Sequence, residues 1–200
     1  MREAVPEPPQ GSQHTSPRPL LEPPGGILMW IVVALELLTF SIVFIMLASW
    51  RGSEPSTFAA GQQLLDARTG LAQTLALLTS GWLVAEAVHA WRADRIGRAR
   101  RFYAGGIAAG LGFVLLKVLD YANKARLGMD LDDAFGAAYF LATGFHFAHV
   151  LVGLALLTYV ALRVGRRPFE DPETAVAGTA LFWHMCDIAW FFLFPLFYAR

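Results

Sequence analysis

Five apolar runs, each long enough to cross a bilayer, decide what this chain can fold into. They fall at about 26–50, 69–91, 101–123, 134–162 and 176–199. Each meets or exceeds the roughly 20 residues that span the hydrocarbon core. Lipid offers backbone N–H and C=O groups no partner, so each run must satisfy its own polar groups as a helix. The fold class is therefore all-α, a five-helix transmembrane bundle with short loops. The composition agrees: 56% of the 200 residues are hydrophobic, against roughly 45–50% in a soluble domain. A formal net charge of zero argues against a nucleic-acid partner, and the single cysteine, Cys186, excludes an internal disulfide.

Residues 1–25 hold seven prolines and no hydrophobic period, which predicts a disordered, extended cytoplasmic tail. This is not a signal peptide, because the apolar run that follows is too long and no basic stretch precedes it. Residues 26–200 form the membrane domain.

Orientation is read from arginine and lysine. Arg92, Arg95, Arg98, Arg100 and Arg101 lie between the second and third runs, and Arg163, Arg166 and Arg167 between the fourth and fifth. With Arg2 and Arg18 that side carries ten positive residues, whereas the other has five: Arg51, Arg68, Lys124, Arg126 and Arg200. The excess predicts a cytoplasmic N-terminus and a periplasmic C-terminus. In the third run Gly106 and Gly110 make a GxxxG pair, a close-packing face towards another helix of the chain or a partner subunit. Pro195 is expected to kink or end the last helix.

Nine ionisable residues lie within the runs or near their ends, where each needs a partner. Eight of them form i,i+3 pairs, which share a helix face: Glu86–His89, Lys117–Asp120, His146–His149 and His184–Asp187. Glu86–His89 and Lys117–Asp120 read as mutually neutralising pairs. At about 1.5 Å per residue, His149 and His184 lie roughly 20 Å from the outer ends of their helices. His146, Asp187 and Glu36 fall in the same layer. The expectation is one mid-membrane cluster of Glu36, His146, His149, His184 and Asp187. Three readings fit it: hydrogen-bonded pegs between helices, bis-histidine haem or metal ligation, and a proton relay. The structural reading is preferred, because Phe147 and Ala148 leave little of the small-residue space a haem needs. Asp187 is expected to hold His184, and Glu36 to meet the histidines of the fourth run.

These residues also carry a resemblance. "ATGFHFAHVLVG" at 142–153, "FWHMCDIAWFFLFPLFY" at 182–198, "MWIVVALELLTFSIVF" at 29–44, "LLTSGWLVAEAVHAW" at 77–91 and "LGFVLLKVLDYANK" at 111–124 together resemble subunit III of the haem–copper oxidases, in order and at the right spacing over about 26–199. Lys117 before the Asp-Tyr pair, "HFAH", "WHMCD" followed by "FPLFY", and "FAAGQ" at 58–62 look most like the NorE proteins associated with bacterial nitric oxide reductase. At Asp120 the family more often has glutamate.

The resemblance implies a non-catalytic accessory subunit of the bacterial inner membrane, with no haem, copper or other cofactor of its own. It implies bound structural phospholipid and packing against a haem-bearing catalytic membrane subunit, of nitric oxide reductase or of a terminal oxidase. It also places Glu36 near lipid and near the interface with that subunit. The alternative within the family is subunit III of a bacterial terminal oxidase. A stand-alone transporter would call for internal repeats and a helix broken at the midplane, and neither is visible.

Overall fold

The computed structural model describes residues 23–129, 131–167 and 169–199. Apart from residues 23–25, the expected N-terminal tail lies outside the described residues. Those residues form six helices and no strand: α1 (Ile27–Ser53), α2 (Pro55–Gln62), α3 (Ala67–Arg92), α4 (Ile96–Arg126), α5 (Ala134–Arg163) and α6 (Pro172–Tyr198). All but α2 are long and apolar enough to cross a membrane.

The helices run past the apolar runs because polar residues build their ends. Asp66, Asp133 and Asp171 are the N-caps of α3, α5 and α6, and their carboxylates accept from backbone N–H groups of the first turn. The α3–α4 connection is one tight turn in which Asp94 takes a left-handed φ of 56°. There Arg95 N donates to Ala90 O and Asp94 N to Trp91 O, closing the last turn of α3.

The Asp66 carboxyl is held below the usual carboxylate range, first by the Thr69 hydroxyl and then by the Arg68 N–H. Its contribution is therefore complete above the ordinary carboxylate pKa near 4 and is lost as pH falls through the lowered value. Asp66→Ala should cost about 1 kcal/mol at neutral pH, with the deficit shrinking in acid. A deficit unchanged by acid in detergent unfolding curves would show that the cap is not ionic.

Short α2, which no apolar run announces, lies between α1 and α3 in the chain. Its Phe58 is buried against Trp50, Phe135 and Phe197, with ring centroids 5.3, 5.1 and 6.2 Å away. Gln62 Nε2 donates to Phe197 O (2.8 Å) and Ala199 O (3.1 Å), and Arg51 donates to Leu196 O and Ala199 O. These side chains serve the carbonyls that a helix C-terminus leaves unpaired. Pro195 neither ends nor breaks α6, which continues to Tyr198.

The last helix is the centre of the bundle. α6 packs on α1, α3 and α5, while α4 closes the ring against α3 and α5. Over half of α6's apolar window is buried (56%), against 17% for α1, which leans on the outside. Trp183 of α6 fills the space between α4 and α5. Its fully buried indole is wedged between Gly110 and Gly153, where an added Cβ would lie 3.1 Å and 2.7 Å from ring atoms. Gly106 packs on Val84 and its carbonyl accepts from Ser80 Oγ at 2.6 Å. The GxxxG pair is thus spent within the chain, on α3 and α6.

Candidate functional site

The five residues expected to form one cluster resolve into three separate contacts. His146 is fully buried, with rings of Trp190, Phe113 and Phe40 at 5.2, 5.8 and 6.3 Å. Its Nε2 donates to the backbone carbonyl of Cys186 at 3.0 Å, tying α5 to α6. No carboxylate reaches it, and Nδ1 has no partner among the described residues. Glu36 does not meet it because Phe40, one turn further along α1, fills the space.

One turn away, His149 meets Glu36 of α1, with Nε2 3.1 Å from Oε2. His149 Nδ1 lies 2.9 Å from Phe145 O of its own helix. A carbonyl only accepts, so Nδ1 carries a hydrogen. In a neutral ring Nε2 then carries the lone pair, and it faces the Glu36 carboxyl. Glu36→Gln, whose amide can still donate, should retain most of the contact. Glu36→Ala should cost about 1 kcal/mol, the lower end for an unpaired buried group because both side chains are partly exposed. Equal unfolding midpoints for the two variants would contradict the pairing.

The third contact is His184 Nδ1 to Asp187 Oδ2, 3.2 Å apart within α6. Asp187 is buried against α3 at Gly81, where an added Cβ would overlap Oδ2 and lie 3.0 Å from Cγ. The glycine makes room for the acid. His149 is turned to Glu36 and His184 to Asp187, so the two imidazoles expected at matching depth do not face each other across a cavity.

Lys117 and Asp120 belong to a larger network near the opposite end of the bundle from the arginine-rich loops. Lys117 Nζ donates to the Tyr139 hydroxyl at 2.7 Å and stands 3.5 Å from Asp120 Oδ2. The Tyr139 hydroxyl donates to Asp120 Oδ2 at 2.8 Å and meets the Tyr198 hydroxyl at 2.9 Å. Lys124 pairs with Asp120 Oδ1. Rings of Tyr121, Tyr139 and Trp190 surround the Lys117 ammonium at 4.7 to 4.9 Å, a cation–π enclosure. Lys117 is 0% and Lys124 2% exposed, so one carboxylate serves two buried cations. A simple Lys117–Asp120 pair is therefore too small a description. Lys124, one turn on from Asp120, is open to the same spacing argument, whereas Tyr139 and Tyr198 come from other helices.

Glu86 and His89 do not pair. Glu86 is half-buried and His89 exposed, and neither enters a hydrogen bond or ion pair among the described residues. Both lie on the outward side of α3.

Residues 60–200 match the family model described as cytochrome c oxidase subunit III. The chain belongs to that family. Among its relatives, the probable cytochrome c oxidase subunit 3 of Mycobacterium tuberculosis is 30% identical over 175 residues, covering 86% of this chain and 85% of that one. The cytochrome c oxidase subunit 3 of Corynebacterium diphtheriae is 27% identical over 172 residues, 84% of each chain. A longer protein of Aeropyrum pernix, named heme-copper oxidase subunit I+III, is 25% identical over 178 residues, which are 85% of this chain and 22% of that one. With five spans and this kinship, the chain is a multi-pass protein of the bacterial inner membrane. None of these relatives is named for nitric oxide reduction.

Proposed function

We propose that this chain is a non-catalytic subunit III of a bacterial terminal oxidase. It would stabilise the haem-bearing catalytic subunit, carry no haem or copper itself, bind structural phospholipid, and lie with its arginine-rich end in the cytoplasm. The observation that carries this reading is the near full-length likeness to proteins named cytochrome c oxidase subunit 3. The geometry is in keeping with it. Several buried polar groups hold helices together: His146 on the Cys186 carbonyl, Ser80 on the Gly106 carbonyl and Trp190 on the Thr74 hydroxyl.

The test is purification of the tagged chain from its own membranes in mild detergent. A haem-bearing oxidase subunit should come with it, and deletion should lower oxygen consumption by those membranes. A Soret band that stays with the isolated chain after its partners are stripped would overturn the reading.

A second reading, a NorE-like subunit serving nitric oxide reductase, rests on Lys117 before the Asp-Tyr pair, here built into the buried network. It requires a nitric oxide reductase subunit in the same preparation, and loss of nitric oxide consumption with oxygen consumption unchanged.

A further inference from the structure

The outward faces of the bundle are not alike. Along α4 and α5 the exposed large side chains through the middle of the span are apolar, among them Leu111, Leu115, Val118, Leu141, Leu151 and Val152. Such a face asks for nothing but lipid. The side where α1 and α3 flank α6 is different. It exposes Trp82, His89 and the unpaired Glu86 on α3, and on α6 it opens on His184, whose side chain is 39% exposed.

His184 decides the matter by its depth. It lies twelve residues into α6 from Pro172, roughly 18 Å along the helix and so near the middle of the membrane. Its Nδ1 lies 3.2 Å from Asp187 Oδ2, and Nε2 has no hydrogen-bond partner among the described residues. An unpaired polar atom at that depth is costly in hydrocarbon. The space in front of it is shaped. α1 and α3 rest on α6 without packing closely on each other. Between them runs a groove of about 400 Å³ whose lining includes Trp30, Ala85, Val88, His89, Leu181 and His184. Ala85, Ala177 and Ala180 keep its walls low, and small residues of this kind let another helix come close.

We infer that this groove between α1 and α3 seats a transmembrane helix of the catalytic subunit, which sets a hydrogen-bonding side chain, a hydroxyl or a carboxamide able to donate or accept, against His184 Nε2. The inference rests on the subunit III reading above. An acyl chain could fill the groove but would leave the imidazole unpaired, whereas a protein helix supplies both the apolar surface and the hydrogen-bond partner. The Aeropyrum pernix relative, whose name joins subunits I and III in one chain, makes the catalytic subunit the appropriate source of that helix.

The test uses the native complex. A photo-crosslinking amino acid in place of Ala85 should join the chain to the catalytic subunit, identified by mass spectrometry, whereas the same residue in place of Leu115 on α4 should not. Ala85→Trp, which fills the groove, should lower recovery of the catalytic subunit at least tenfold, with the variant chain still accumulating in the membrane and unfolding near the wild-type temperature. His184→Phe should lower recovery to a lesser degree. Crosslinks from position 115 but not 85, a crosslink at 85 only to lipid or to a small membrane-soluble molecule such as a quinone, or full recovery of the catalytic subunit with Ala85→Trp would each overturn the inference. If the wild-type chain brings down no haem-bearing subunit at all, the subunit III reading itself fails.

Discussion

Gly81→Ala should destabilise this protein severely for the addition of a single methyl group. The new Cβ would overlap Asp187 Oδ2 and crowd Cγ. Asp187 can yield only by turning away, which breaks its bond to His184 and leaves a buried acid without its partner. Overpacking costs about 1–3 kcal/mol and the unpaired buried group about 1–3 kcal/mol more, so a total of about 2–6 kcal/mol is expected. Unfolding of the purified chain in detergent measures it. The mechanism has its own check in Asp187→Ala, which removes the atoms that clash. Combined with Gly81→Ala, it should cost clearly less than the two single changes added together. Simple additivity would mean that the methyl strikes something other than Asp187.

The second large effect lies in the network around Asp120. Removing that carboxylate with Asp120→Ala leaves the Lys117 and Lys124 ammonium groups buried with no counter-charge. Breaking one side of a buried ion pair costs about 3–5 kcal/mol, and here two cations lose the same partner. Asp120→Asn should also destabilise, since it keeps the shape and removes the charge. The informative variant replaces all three charges, as Lys117→Met, Asp120→Leu and Lys124→Met. Buried ion pairs replaced by apolar groups of similar volume are often neutral or better, so the triple variant should be more stable than Asp120→Ala alone. If it is no better, the tyrosine hydroxyls left behind, rather than the lysines, carry the penalty.

Much of this architecture could be read from the chain, for a plain reason. The bilayer forces each apolar run to be a helix, and the rise per residue then turns sequence position into depth. That arithmetic put Glu36 level with His149, which it meets, and the i,i+3 spacing put Asp187 beside His184. Depth says nothing about azimuth, and there the expectation failed. His146 shares the layer of Glu36 but is turned to the Cys186 carbonyl, with Phe40 between. Glu86 and His89 share a helix face by spacing yet go their separate ways. Gly110 carries the GxxxG spacing, but Gly81 and Gly153 are indistinguishable in sequence from other helix glycines, such as Gly112 and Gly144, which face nothing within 4 Å. What sets those two apart is the Asp187 carboxylate and the Trp183 ring, both delivered by α6. Tyr139 and Tyr198 read as aromatics near helix ends, and only the tertiary fold brings their hydroxyls together on Asp120.

The central place of α6 bears on biogenesis. The ribosome makes this helix after the other five, and it is the one against which α1, α3 and α5 are packed. Until it enters the membrane, Thr74 lacks the Trp190 indole, His146 lacks its carbonyl, and Gly110 and Gly153 lack the Trp183 ring. The earlier helices lack those contacts until then, although α4 already packs on α3 and α5. Closure of the bundle, and with it the groove in front of His184, comes only once α6 has been made. A docking partner that recognises that groove would by the same token accept only chains in which α6 is already in place.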